Sequence, residues 1–374
     1  MVAVQWLTPG ARPGAFANSD WPEEKTHMHQ ASISEYSVAV VGAGPIGLEM
    51  AAALKRAGID YVQFDKGTVG QTMFWWPPHT QWFSSNERIS IAGLPLVTPD
   101  QRKADREQYL AYLRTVVRTF GLRIHSYEPV IDIEPDGDGF ILTTEPAAGA
   151  KRYRAGRIIL ATGDTDAPAL LDIPGEDLPH VRHVLHDPHY YFQRRLVIVG
   201  GKNSAAEAAL RCWHAGVDVT LAYRGAEFDK AHVKYWLLPE LLGRIDRGEI
   251  ACHYHVEPTA ITPTTVTLRH VETAAPVELP ADFVLLATGF VADMTLFSRA
   301  GVHLSGRRQV PVHDENTMLT NVPGIYVAGT ATAGTQQRYQ VFLENCHIHV
   351  DRILAHLRGD PPPAAPRQYQ QQES

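Results

Sequence analysis

The chain has 374 residues, 44% hydrophobic and 20% charged, enough for two or three domains with full cores. A formal net charge of -7 gives no basic field for nucleic acid or a membrane surface, and no apolar run is long enough to span a bilayer. The three cysteines, Cys212, Cys252 and Cys346, form no C-x-x-C pair, which argues against a disulfide scaffold, a zinc site or a redox dithiol and points to a reducing, cytoplasmic location.

Residues 1–33 are rich in Pro, Gly and Ala without periodicity and read as a disordered extension, with Met28 an alternative start and no secretory pattern. The first strong signal follows: an apolar strand, the turn Gly42-Ala-Gly44-Pro45-Ile46-Gly47, and a helix. Gly42 permits the tight turn, Gly44 lets backbone approach a pyrophosphate, and Gly47 lets the helix pack closely on the strand. The helix N-terminus offers N–H groups and a positive dipole end to phosphates. The next strand ends in Asp65, placed to accept hydrogen bonds from a ribose diol.

An aromatic stretch from Gln71 to Ser85, with Trp75, Trp76, Trp82 and Phe83, reads as a loop that walls a ring cofactor and reaction cavity; anchoring of a core is the competing reading. Phe140–Thr144 reads as an antiparallel strand, and Arg157–Gly163 as a strand closing on Ala161-Thr162-Gly163. Residues 164–193 form a connector whose His180, His183, His186 and His189 lack helical spacing, so no metal site is expected.

A second strand, turn and helix then appear, with Gly200-Gly201-Lys202-Asn203-Ser204-Ala205 at the turn. One G-x-G-x-x-G pattern is weak evidence, but two complete strand–turn–helix–strand units predict two bound dinucleotides. Lys202 stands in place of the middle glycine and can meet a phosphate as a point charge. Arg224 follows the next strand where NAD-binding domains carry a carboxylate; a guanidinium there suits a 2′-phosphate, so NADPH is expected over NADH. Asp282–Gly289 repeats Ala-Thr-Gly and is expected to return the chain to the first domain. A further strand ends at Gly329-Thr330, and a helix from about Gln340 to Leu357 closes the fold. It carries Cys346, a candidate redox thiol if it approaches the cofactor, or inert packing if buried.

Two dinucleotides in one chain imply electron transfer from a nicotinamide to a flavin. The expected class is therefore α/β, with two Rossmann-like dinucleotide-binding domains and the NADPH domain inserted into the flavin domain, which the family resemblance described below makes an FAD domain. The boundaries are 34–163 for the first part of the FAD domain, 164–281 for the NADPH domain with its connector, 282–358 for the second part of the FAD domain, and 359–374 for a disordered tail.

These motifs, with Tyr223-Arg224-Gly225, Phe83-Ser84-Ser85 and Phe342-Leu343-Glu344-Asn345, resemble the thioredoxin-reductase-like flavoproteins with two dinucleotide domains. Within them the chain is most similar to the bacillithiol-disulfide (bacilliredoxin) reductase family, over about residues 36–357. The resemblance implies FAD, NADPH and a low-molecular-weight disulfide or small redox protein as acceptor, in a chain that can form a homo-oligomer. It extends the cofactor set of Gly42, Gly44, Pro45, Gly47, Asp65, Thr162, Gly163, Gly200, Gly201, Lys202, Asn203, Ser204, Arg224, Gly289 and Gly329 to Lys66, Gln71, Thr72, Val130 and Glu344.

Two departures stand out. Ile46 replaces the cysteine of the family's first turn, and Thr330 replaces an Asp common in the wider superfamily. Thiol chemistry in the first turn is therefore impossible, which leaves Cys346 or direct transfer to the acceptor. The runner-up readings are a flavin monooxygenase and an NADPH reductase of a flavodoxin- or ferredoxin-type carrier. The monooxygenase connector pattern Phe-x-Gly-x3-His-x3-Tyr is met by His186 and Tyr190 but broken by His180 and Arg182. A nucleotide-binding sensor without turnover is the non-enzyme alternative.

Overall fold

The computed structural model describes residues 33–228, 230–336 and 340–364. The expectations for the N-terminal extension, including the start at Met28, and for the end of the tail lie outside the described residues. Residues 34–364 belong to one compact unit.

The first sheet contains β1 (Ser34–Val41), β2 (Tyr61–Asp65), β3 (His125–Ser126), β4 (Val130–Asp136), β5 (Gly139–Thr144), β6 (Lys151–Leu160) and, from late in the chain, β19 (Ile325–Val327). Its order is β3-β2-β1-β6-β5-β4, with β19 also paired to β6. The nucleotide half is parallel, whereas β4, β5 and β6 are antiparallel. The second sheet runs β11 (Ala251–His253), β10 (Asp218–Ala222), β9 (Arg195–Val199), β15 (Phe283–Leu286), β8 (Val181–Arg182), all parallel. A three-stranded antiparallel sheet, β12 (Val256–Ile261), β13 (Thr265–His270) and β14 (Pro276–Pro280), accompanies it. Two small antiparallel pairs join β7 (Ala167–Pro168) to β16 (Phe290–Val291) and β17 (Leu304–Ser305) to β18 (Val310–Pro311).

The helices follow from the apolar pattern. In β1, Val38 and Val40 face one core and Ala39 and Val41 the other, the alternation of a strand buried on both sides. On the first face lie α1 (Pro45–Arg56), α4 (Arg106–Phe120) and α8 (Leu343–Arg358), which bury Leu48, Leu54, Tyr109, Leu113, Val350 and Ile353 with it. Asp105 opens α4 with a capping box: its side chain accepts from Gln108 N at 2.8 Å and Gln108 Oε1 accepts from Asp105 N at 2.9 Å. Such a cap contributes about 1 kcal/mol. Phe297 of α7 (Thr295–Arg299) seals the opposite face against Phe64 and Ile158. In the second sheet, α5 (Asn203–His214) and α6 (Leu238–Asp246) bury Ala209, Leu210 and Leu241 with Leu196 and Ile198. The short α2 (Gln71–Phe74) and α3 (Asn86–Ile89) lie in the segment after β2.

The sequence expectation for Asp282–Gly289 needs correction. β15 does not join the first sheet; it pairs with β9, Val284 opposite Val197, and with β8, Val284 opposite Val181. The second sheet therefore extends to Leu286, beyond the expected boundary at 281. An apolar strand followed by Ala-Thr-Gly fits either sheet, and only pairing decides between them. The return to the first sheet is made by β19.

Candidate functional site

Each glycine turn sits at the carboxyl ends of its parallel strands, where ligands of open α/β sheets bind, and the two are built alike. Gly42 N donates to Phe64 O at 2.8 Å, and Ala161 N donates to Val41 O at 2.8 Å. In the second unit Gly200 N donates to Ala222 O at 3.0 Å, and Ala287 N donates to Val199 O at 2.8 Å. A Cβ on Gly42 would strike the Ala161 carbonyl, and one on Gly200 would strike the Ala287 carbonyl at 2.7 Å. Both glycines have positive φ, 113° and 150°. Each Ala-Thr-Gly segment is thus the wall against which its glycine turn is pressed.

The first turn has the shape of a nucleotide cradle. Gly44 is the N-cap of α1 with ordinary φ (-72°), and among the described residues a Cβ there would meet nothing within 4 Å. No side chain caps α1, so its first N–H groups point to that open space. Thr162 Oγ1 is buried without a hydrogen-bond partner among the described residues, a group that a ligand hydroxyl or phosphate would satisfy. Gly47 packs under Gly42, whose carbonyl accepts from Gln63 Nε2 at 2.8 Å. Asp65 ends β2; its oxygens accept from Ala43 N at 2.6 Å and Gly67 N at 2.7 Å. Burial raises its pKa against the pull of those two N–H groups and of Lys66. A carboxylate has about four acceptor positions, so two remain for a diol.

The other candidates are scattered around this cradle. Lys66 pairs with Asp166, and Gln71 Oε1 accepts from Thr68 N at 3.0 Å. Thr72 lies on α2 and Val130 begins β4. Ser84 donates to Glu344 Oε1 at 2.5 Å, tying the aromatic segment to the first turn of α8. Gly163 and Gly329 both have positive φ, 79° and 73°. Gly329 N donates to His349 Nδ1 at 3.2 Å, and a Cβ on Gly289 would meet no described residue within 4 Å.

No motif assigns a role to the buried carboxyl of Asp164. It accepts from Gln336 Nε2 at 2.8 Å, and Gln336 Oε1 in turn accepts from Gln340 N and Val341 N, both at 3.0 Å. Burial raises the pKa of Asp164 despite hydrogen bonds from Gln336 and Thr330. Its only sequence signal is its place one residue after Ala-Thr-Gly.

Cys346 is 0% exposed, and its Sγ donates to Phe342 O at 3.0 Å. Burial, reinforced by the charges of Asp164, Glu344 and Glu49, pushes its pKa far above that of an ordinary thiol. This contradicts a reactive thiolate; Cys346 packs in the core with Ile353 and, from the first turn, Ile46. Burial also raises Cys212 to about 12 and Cys252 to about 11.

The aromatic stretch divides between the two readings. Trp82 sits between Trp76, edge-on at 4.7 Å, and Tyr109, tilted at 4.5 Å, and packs against the core. Trp75 and Trp76 also line a cleft of about 450 Å³ with Asp166, Leu185, His186 and Phe290. Phe83 instead meets Trp236 at 5.6 Å. The connector histidines diverge, with His180 near Thr262 O, His183 near Glu176 and His186 near Tyr190. Among the described residues, His79, Asp105 and Glu107 bring three donor atoms within 4.8 Å of one another, but His79 is exposed and Asp105 is the α4 cap.

In the second unit, Lys202 is the N-cap of α5, and Asn203 Oδ1 accepts from Lys234 N at 2.8 Å. Ser204 and Arg224 are exposed. The strand register corrects one assignment. Phe64 lies opposite Val41 and Ala222 opposite Val199, so the residue equivalent to Asp65 is Tyr223, and Arg224 comes one place later.

Residues 39–329 match the family described as pyridine nucleotide-disulphide oxidoreductase. The chain is 34% identical to bacilliredoxin reductase Bdr of Bacillus subtilis (strain 168), over 85% of this chain and 96% of that protein. It is 28% identical to a ferredoxin–NADP reductase of Ignicoccus hospitalis, over 78% and 89% of the two chains. The solved structure of bacillithiol disulfide reductase Bdr (YpdA) from Bacillus cereus superposes with a TM-score of 0.82 at 33% identity, covering 87% of this chain and 99% of that one. On this match across nearly the whole described fold, the chain belongs to the pyridine nucleotide-disulphide oxidoreductases and, within them, to the bacilliredoxin reductase family.

Proposed function

We propose that this chain is an FAD-dependent oxidoreductase that takes electrons from NADPH and reduces bacillithiol disulfide or a closely related low-molecular-weight disulfide. The observation that carries the flavin reading is the first cradle: among the described residues, open space at Gly44, an α1 N-terminus with no side-chain cap and a Thr162 Oγ1 without a hydrogen-bond partner. In this reading the first sheet and α8 form the FAD domain. The second sheet forms the NADPH domain, with its strands drawn from residues 181–286, between β6 and β19.

When bound, FAD supplies two-electron chemistry, taking up a hydride and passing electrons onward. The chain's own residues orient and seal. Gly42, Gly44, Pro45 and Gly47 set the pyrophosphate approach, and Asp65 receives the ribose. Lys66, Gln71, Thr72, Val130, Thr162, Gly163, Gly329 and Glu344 surround the remaining cofactor. Gly200, Gly201, Lys202, Asn203, Ser204, Gly289 and Arg224 serve the nicotinamide nucleotide, with Arg224 reading its 2′-phosphate.

No cysteine of the described fold is suited to attack a disulfide, because Ile46 fills the first turn and Cys346 is buried. Electrons therefore pass to the acceptor without a protein thiol. The same observation favours one second reading, a carrier reductase, since ferredoxin–NADP reductases are among the relatives at 22–28% identity. Anaerobic NADPH oxidation by the FAD-loaded protein, with bacillithiol disulfide, a flavodoxin or a ferredoxin offered separately, tests the assignment. Turnover only with a protein carrier would overturn the disulfide reading.

A further inference from the structure

The two nucleotide turns differ at one matched pair of positions. In the first, Ala43 donates its N–H to the Asp65 carboxylate. In the second, the matching residues are Gly201 and Tyr223, and no carboxylate is present. The Tyr223 ring occupies that space. A Cβ on Gly201 would fall among Cε2, Cδ2 and Cζ of the ring, and one on Gly225 would lie 2.6–2.8 Å from its Cζ, Cε1 and Oη. Neither glycine has positive φ, so backbone conformation does not explain either of them. The ring does, because it is wedged between the two. Phe228 stacks on it at 4.9 Å and 15°, and Tyr254 meets Phe228 at 5.7 Å. The Tyr223 backbone is held by His253 O at 2.9 Å and Val256 N at 3.1 Å.

Resting on the reading of the second turn as the NADPH site, we propose that Tyr223, wedged between Gly201 and Gly225, is a specificity-determining residue that selects NADPH over NADH by filling the place of the ribose-binding carboxylate. An acidic side chain there would grip a free 2′,3′-diol and repel a 2′-phosphate. An aromatic ring offers no paired acceptor to the diol and no charge against the phosphate. Selection is thereby handed to Arg224, one residue on, and to Lys202 at the N-cap of α5. Tyr223 excludes one nucleotide and Arg224 attracts the other, the two halves of a specificity device.

The test converts the second turn into a copy of the first. Dissociation constants for NADP+ and NAD+, which do not reduce the flavin, are measured by calorimetry on FAD-loaded protein. Gly201→Ala/Tyr223→Asp should lower the NADP+ preference by at least about 10-fold, the size of one charge-assisted contact. Gly201→Ala alone should lower the melting temperature, because the methyl meets the ring, and adding Tyr223→Asp should restore it. Tyr223→Phe, which keeps the wedge, should keep the preference. An unchanged NADP+/NAD+ ratio in a well-folded double variant would overturn the proposal. So would a Gly201→Ala variant as stable as wild type, or loss of preference in Tyr223→Phe. Wild-type protein that binds neither nucleotide would sink the NADPH reading itself, and this inference with it.

Discussion

Replacing His349 with Gln should remove an acid weakness from beneath Gly329. His349 lies on α8, 9% exposed, and its Nδ1 accepts the Gly329 N–H at 3.2 Å, which leaves the ring proton on Nε2. Burial, reinforced by Arg352, His313 and His347, lowers its pKa to about 3. An imidazole in the unfolded chain titrates near 6.5. Below that value the unfolded chain takes up a proton that the folded chain refuses, so stability falls as pH drops from about 6.5 toward 3. Each pH unit is worth about 1.4 kcal/mol, so the step from pH 6.5 to 4.5 costs roughly 2–3 kcal/mol. Gln can accept the same N–H through its carbonyl and has nothing to titrate. Urea unfolding of both proteins across that range, followed by circular dichroism, should show the variant gaining about 2–3 kcal/mol on wild type at the acid end. Other titrating groups, such as Asp65 and Asp164, are common to both proteins and cancel in the difference. Parallel pH profiles would refute the buried neutral imidazole.

Gly44→Val should fold normally, since Gly44 has φ -72° in the extended region, yet fail to retain FAD, because its side chain would enter the cradle; yellow variant protein with wild-type flavin content would refute this. Arg224→Ala should raise the NADPH Michaelis constant about 10-fold and leave NADH nearly unchanged. Equal loss with both nucleotides in steady-state kinetics would show that Arg224 does not read the 2′-phosphate. Cys346→Ser should keep flavin reduction by NADPH and disulfide turnover, since the hydroxyl can make the same bond to Phe342 O. Loss of disulfide turnover alone would restore the thiol route.

The parts legible in the sequence were those fixed by local chemistry. Gly42, Gly44, Gly47 and Asp65 sit in one strand–turn–helix–strand unit, so short-range spacing identifies them. The repeated Ala-Thr-Gly segments were visible too, but their role as walls of the turns depends on contacts between Gly42 and Ala161 and between Gly200 and Ala287. Strand pairing is not legible in the sequence. β15 carries no mark of its sheet, and Arg224 took the place of the carboxylate because a strand end is uncertain by a residue. One residue changes the chemistry there, since it separates an exposed guanidinium from a wedged ring. Cys346 was open to both readings because burial is a tertiary property. Asp164 carries no legible signal because a carboxylate beside a turn usually faces water, whereas this one holds Gln336, which in turn holds the backbone of Gln340 and Val341.

The late arrival of β19 has a consequence for how the molecule is made. The strands of the second sheet all lie between Val181 and Leu286, whereas the first sheet needs residues from Ser34 to Val327, and its helix layer needs α8. During synthesis the second sheet can be complete before the ribosome has delivered the last strand of the first. The earlier strands must wait, with the β6 edge that receives β19 exposed, for a closure that brings Ile325 to Ile158 across somewhat under half the chain. Long-range closures of this kind are slow and leave strand edges open to aggregation. Pulse-labelled hydrogen exchange during refolding should therefore find β9 and β10 protected before β6.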